Sequence, residues 1–361
     1  MLNFAVGPVP SNDRVKAIAS HDVPYFRTAE FSSLMLESEK LLCKLAKAPS
    51  ESRAVFSTTS GTGAMEAVVI CALDQHDKAL VVDGGGFGHR FRELLELHKI
   101  PHDAIEITYG TPLTQQDLEA YENGGYTAFL VNLGETSQGI LYDAELIGDF
   151  CRRNNLFLIV DGISSFLADP FDMSAMGADV LIADAQKGLA CAPGVAPIVL
   201  SEEALHRVDR IESGCMYLDI GLMLDNGRRG QTPFTPAVSI LMQIHDRLRE
   251  IDQLGVEEEV RRVGNIANDF RHKVKGLPLD MRLVSPSNAV TYITTRGYSA
   301  KTVFNTLKDE YGIWICPNGG PSADSSFRVG HIGAHTLADN ALLISALYDL
   351  ERRGLMTPSV G

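Results

Sequence analysis

The sequence predicts an α/β fold: a mostly parallel sheet with helices on both faces, followed by a smaller C-terminal α+β unit. Three observations carry that prediction. Between about residues 53 and 200, short, uniformly apolar runs alternate with amphipathic stretches, the pattern of strands buried on both faces and joined by helices. Several of those runs end in polar or small residues, and in such sheets ligands bind outside the carboxyl ends of the strands. After Thr235 the pattern changes to two consecutive long helices and then to short strands mixed with helices.

The elements follow in order. KALVVD (Lys78–Asp83), TAFLVN (Thr127–Asn132), LFLIVD (Leu156–Asp161), DVLIAD (Asp179–Asp184) and APIVLS (Ala196–Ser201) read as buried strands. DAELIGDFCRRNN (Asp143–Asn155) reads as a helix between two of them, with apolar residues recurring at helical spacing. A long helix begins after Thr235 and stops at Gly255, and a second runs on to a stop at Gly276, glycine being the usual residue past a helix end. The tail holds strands in RLVSPSNAVTYITT, IWICP and SSFRVG, with helices near 299–310 and 335–353. At 361 residues the chain suits two domains, roughly 100–200 residues each being usual. The expected division is a large unit over 15–255 and a small one over 256–361, with 1–14 near the site.

Composition narrows the function. The 32 basic and 46 acidic residues leave a net charge of −14, so nucleic acid and anionic membrane surfaces are poor partners, since both require a basic surface. The 6 cysteines are scattered without a C-x-x-C pair, which suits reduced, buried thiols in a cytoplasmic protein. No apolar run reaches the ~18 residues of a membrane span, and MLNFAVGPVP lacks the basic and apolar segments of a secretory signal.

The polar residues at the strand ends are the candidate site. Ser60, Gly61 and Thr62 precede an apolar helix; their small size lets backbone N–H groups close on an anion, although an ordinary helix cap reads the same way. VVDGGGFGHRF places Phe87 on a glycine-rich loop, out of order for a dinucleotide fingerprint. VNLGETSQG (Val131–Gly139) is rich in hydroxyls where a strand meets solvent. Asp161 closes LFLIVD and suits a cap, a metal ligand or the partner of a cationic ligand atom; no metal-ligand spacing accompanies it, so no metal is expected. Lys187 follows LIADAQ, and bulky side chains are then absent through Gly194 except for Leu189. A buried lysine loses its charge readily and becomes an amine nucleophile near neutral pH. One ligand accounts for the whole set. Pyridoxal phosphate brings an aldehyde for the lysine, a ring nitrogen for a carboxylate, a flat ring for an aromatic face and a phosphate for a helix N-terminus.

The run from SGTGAMEA through GGFGHR, GETSQG, VDGISSF and DAQKGLACAPG, extended by GQTPFTPA and FRVGHIG, resembles the class V aminotransferases of the fold-type I pyridoxal-phosphate enzymes. The resemblance spans nearly the whole chain and is strongest to the 2-aminoethylphosphonate–pyruvate and alanine/serine–glyoxylate branches. It implies a fold-type I architecture with a sheet of the seven-stranded kind. Lys187 is then the residue that bonds the cofactor and shuttles the substrate proton, and Asp161 the partner of the ring nitrogen. Phe87 stacks on the ring, Ser60, Gly61 and Thr62 cup the phosphate, and Thr136 and Gln186 lie close to the cofactor. Thr235 reaches the phosphate of a neighbouring subunit, implying a homodimer with shared sites. Arg328 grips the substrate's anionic group, with Gly7 in the segment beside it. Two departures bear on which amine fits: Thr136-Ser137-Gln138 replaces a run of threonines, and Phe87 lacks the polar handle of Tyr or Trp. The implied reaction is ping-pong transfer of an amino group from a small donor, 2-aminoethylphosphonate, alanine or serine, to pyruvate or glyoxylate. A lyase or desulfurase on the same fold is the alternative.

Overall fold

The computed structural model describes residues 1–357. A three-residue strand, β1 (Leu2–Phe4), comes first, followed by β2 (Arg53–Ser57), β3 (Ala79–Asp83), β4 (His102–Glu106) and β5 (Ala128–Asn132). A two-stranded hairpin of β6 (Gly134–Glu135) and β7 (Ile140–Leu141) leads to β8 (Phe157–Asp161), β9 (Val180–Ile182) and β10 (Ala196–Leu200). The main sheet has 7 strands in the order β2-β10-β9-β8-β5-β3-β4. Its β3, β4, β5, β8 and β9 run parallel, whereas β10 is antiparallel to both β9 and β2. Every residue of β5 and β8 is buried, because helices cover both faces. Each large aliphatic side chain so buried contributes about 1.5–3 kcal/mol relative to exposure.

The helix read between two of these strands spans Ala144–Asn154. Asp143 caps its start by accepting from Glu145 and Leu146 N–H, and Asn155 ends it in the left-handed conformation, φ 52°. The two long helices span Val238–Leu254 and Val256–Lys273 and are separated only by Gly255 at φ 95°. The second stops short of the expected Gly276.

The remaining strands, β11 (Leu279–Met281), β12 (Val290–Thr295), β13 (Ile313–Pro317) and β14 (Ser326–Gly330), join β1 in a 5-stranded sheet ordered β1-β13-β14-β12-β11. The chain start thus pairs with a strand more than three hundred residues away, Leu2 opposite Ile313. That pairing carries the following residues, Ala5 to Pro8, toward the carboxyl ends of β8 and β9. Among the described residues no helix is long and apolar enough to cross a membrane.

Candidate active site

Parallel pairing of β5 with β8 sets Asn132 opposite Asp161. Asn132 Nδ2 donates to Asp161 Oδ2 at 2.7 Å, and Ile163 N–H donates to Oδ1 at 2.8 Å. The carboxyl group is 1% exposed. Burial raises its pKa to about 6, only partly offset by those two hydrogen bonds.

β9 ends at Ile182, earlier than the apolar run suggested, and the chain turns through Asp184, Gln186 and Lys187. The Lys187 N–H donates to Asp184 O at 3.3 Å, and its Nζ donates to Val6 O at 2.9 Å. Burial lowers the pKa of this ammonium against the attraction of Asp184 and Asp161, which leaves more free amine than a surface lysine holds. Gly7, at φ 144°, lies against it: a Cβ there would sit 2.6 Å from Nζ. The small residues after Lys187 make room for the returning chain. Gly188 presses on the Phe166 carbonyl, and Cys191 N–H donates to Ala185 O at 2.8 Å.

Ser60 is the exposed N-cap of the helix Gly61–Ala72 and accepts from Gly63 N–H at 3.5 Å. The Gly61 N–H donates to Asp184 Oδ2 at 2.9 Å, and Gln186 Nε2 donates to the same oxygen at 2.6 Å. Thr62 Oγ1 accepts from Arg90 Nη1 at 3.1 Å. Phe87 differs from expectation. It occupies the first turn of the helix Gly86–Leu97 rather than a loop, because buried Glu135 accepts from both Phe87 and Gly88 N–H at 3.1 and 3.2 Å and anchors that helix start. The Val131–Gly139 run is likewise no plain loop: it holds the end of β5, then β6 and the turn that leads to β7.

Arg328 stands on β14 opposite Cys316 and Tyr292. Its Nη1 donates to the carbonyl of buried Thr136 at 3.2 Å and its Nη2 to Pro317 O at 3.4 Å. Lys187 is within electrostatic reach of Arg328, Cys316, Asp161 and Asp184. Hydrogen bonds, packing and electrostatic reach thus connect Lys187, Asp161, Gly7, Ser60, Gly61, Thr62, Phe87, Thr136, Gln186 and Arg328. Thr235 is not among them: in a single chain it is exposed and lines a separate pocket with Thr58, Tyr217 and Phe234.

Sequence reasoning passed over Asp184, Glu135 and Asn132. Asp184 carried the same signal as Asp161, a carboxylate at the end of an apolar run, and Glu135 lay inside the polar Val131–Gly139 run. Buried polar atoms without a hydrogen-bond partner recur here: Asn132 Oδ1, Asp184 Oδ1, Gln186 Oε1 and Arg328 Nε. Such atoms are costly unless a ligand or water pairs with them. An amine whose charge burial disfavours, buried carboxylates and a guanidinium together suit a ligand carrying a carbonyl, a basic nitrogen and anionic groups. Among the described residues no group of His, Cys, Asp and Glu is arranged to hold a metal ion.

The family model described as aminotransferase class-V matches residues 19–329. The soluble hydrogenase 42 kDa subunit of Anabaena cylindrica is 30% identical over 91% of this chain and 87% of its own length. The alanine–glyoxylate aminotransferase of Felis catus is 28% identical over 81% of this chain and 74% of its own. Among solved structures, the subgroup IV aspartate aminotransferase of Thermus thermophilus superposes with a TM-score of 0.89 at 25% identity, covering 97% of this chain and 99% of that one.

Proposed function

The chain belongs to the class-V aminotransferases, a pyridoxal-phosphate family, and from that premise we propose that it moves an amino group from a small anionic donor to pyruvate or glyoxylate by a ping-pong route. The donor is 2-aminoethylphosphonate or a small amino acid such as alanine or serine. The observation that carries this reading is the half-buried Lys187 amine, held 2.9 Å from Val6 O under Gly7, its ammonium form disfavoured by burial and in electrostatic reach of Asp161 and Arg328. The relative named for alanine and glyoxylate supports the choice of small partners.

The residues present fit pyridoxal phosphate, since buried Asp161 lacks a cationic partner at hydrogen-bond distance and Gly7 leaves no bulk over Lys187 Nζ. When bound, the cofactor supplies an aldehyde carbon that takes up the amino group and an electron-withdrawing ring. Asp161 faces the ring nitrogen in this reading and keeps a proton there by its charge. Ser60, Gly61 and Thr62 hold the phosphate at a helix N-terminus, Phe87 covers the ring, and Thr136 and Gln186 flank it. Arg328 orients the donor through its anionic group, to which a planar guanidinium offers paired hydrogen bonds. Lys187 Nζ would take the proton from the donor's amine-bearing carbon and hold it for return, a task suited to an amine of lowered basicity.

We also read the enzyme as a cytoplasmic homodimer in which Thr235 completes the partner's phosphate site, a reading supported by its exposure next to Tyr217 and Phe234. The division at 255/256, with residues 1–14 lying over the site, accords with the β1–β13 pairing and the Gly7–Lys187 contact. The test is the absorption spectrum of the purified protein. A visible band that one of 2-aminoethylphosphonate, alanine or serine bleaches, and that pyruvate or glyoxylate restores, is the expected result. A band that none of these donors shifts would overturn the donor assignment.

A further inference from the structure

We propose that Asp184 is a member of the anion cup formed by Ser60, Gly61 and Thr62, and that it holds the cofactor's phosphate as a neutral carboxylic acid, so that cofactor uptake draws a proton from solvent. The inference rests on the reading that the phosphate lies at the start of the helix Gly61–Ala72, 12 residues long.

Geometry places the carboxyl group there. Asp184 Oδ2 already accepts from the Gly61 N–H at 2.9 Å, one of the free donors that an anion at this helix end would claim. A Cβ on Gly61 would meet that same oxygen at 2.8 Å, so glycine is what lets the two approach. The residue is 4% exposed, and its other oxygen, Oδ1, has no partner. An ionised carboxylate beside a phosphate would set two anions against one helix end. A protonated one offers an O–H donor instead, and its unpaired oxygen is free to carry it.

The surroundings move the group toward the neutral form, and a phosphate completes the shift. From the helix side Asp184 faces the Gly61 N–H, and the side chain of Ile163 packs against the same glycine. From its own turn it faces the Gln186 amide and the charge of Lys187. Lys187 is the charged group that opposes this shift, and its amine hydrogen-bonds to Val6 O rather than to this carboxylate. Burial raises the pKa to about 6 before any phosphate is present, and a neighbouring phosphate raises it further.

The experiment is calorimetric titration of the full-length chain, stripped of cofactor, in two buffers of different ionisation enthalpy, which counts protons taken up on binding. The probe is 4′-deoxypyridoxine 5′-phosphate, which has no aldehyde to bond Lys187; its phosphate-free counterpart is the control. At about pH 8 the natural protein should take up close to one proton more than Asp184→Asn with the phosphate-bearing probe, and no more with the control. Its affinity should also fall by up to about tenfold per pH unit relative to that variant. Equal proton uptake by the two proteins would overturn the proposal, as would an equal difference with both probes, which would place the carboxyl group against the ring. Failure of the natural protein to bind either probe at any pH would instead overturn the cofactor placement on which the proposal stands. If Asp184→Asn does not fold, Asp184→Ser serves the same comparison.

Discussion

Glu259 and Asp184 are equally hidden, 3% and 4% exposed, and their surroundings are opposite. Glu259 lies between the two long helices with both oxygens paired. Oε1 accepts from Arg247 Nη2 at 2.5 Å and Arg262 Nη2 at 2.9 Å, and Oε2 accepts from Arg262 Nε at 2.9 Å. Burial pushes its pKa up, but Arg262 and Arg247 together outweigh that and hold it below the usual carboxylate range. Asp184 has one oxygen paired with neutral donors and the other with nothing, and its pKa goes up. A buried charge whose partners are all supplied by the chain locks the chain. A buried charge left half-paired is available to something else.

The largest effect that this contrast predicts is in the half-paired region. Lys187→Ala removes nucleophile and proton carrier together, and turnover should fall by about 10⁴ or more, equivalent to about 5.5 kcal/mol of barrier. The urea midpoint of the stripped protein should be unchanged or higher, because a disfavoured buried ammonium is gone. Single-turnover assays with denaturation curves check both halves, and the variant should still bind the cofactor. A variant with unchanged turnover would sink the assignment of the site.

Glu259→Gln should do the reverse. Breaking a fully buried ion pair from one side costs about 3–5 kcal/mol, while kcat stays within the assay's scatter, since the Glu259 carboxylate bonds to Arg247 and Arg262 and to none of the site residues. The lowered pKa also sets a pH window. The stability contributed by Glu259 is present above its unfolded value of 4.5 and is lost as the pH falls through its lower folded value. Urea melts near neutral pH and below about pH 4 check this: natural protein and variant should converge in acid. A large loss of kcat in Glu259→Gln would erase the distinction between locking and available charges.

Much of this arrangement is legible in the sequence. Central strands such as β5 and β8 are buried on both faces, so their apolar runs are unbroken, and Asp161 stands out because a run stops at it, Lys187 because it follows the end of another. The edge strands were harder to read. In β4, His102–Glu106, only Ile105 is buried, so nothing in its composition separates it from a loop. β1 is three residues long and owes its existence to β13, a pairing that local propensity cannot encode. Glu135 and Asp184 hid for another reason. Their roles come from contacts with Phe87 and Gly61, 48 and 123 positions away in sequence; within its own segment Glu135 looks like an ordinary polar residue at a turn, and Asp184 shows only a carboxylate closing an apolar run, with no sign of its partner.

Asp184→Asn sharpens the comparison most finely. The folded pKa of about 6 lies above the reference value of 3.8, so the folded state binds this proton more tightly than the unfolded chain does. Above about pH 6 the group is ionised in both states and its full penalty is present. As the pH falls from 6 toward 3.8 the folded state takes up its proton first, and stability rises. The difference corresponds to at most about 3 kcal/mol. Asparagine keeps the shape and cannot ionise, so it should stabilise the stripped protein by up to that amount at about pH 8 and by almost nothing below about pH 4. Urea denaturation of both proteins across that range measures the gain. A gain independent of pH would mean that the carboxyl group is already neutral or already partnered in the free protein, and Asp184 would then belong with Glu259 among the charges that serve the fold.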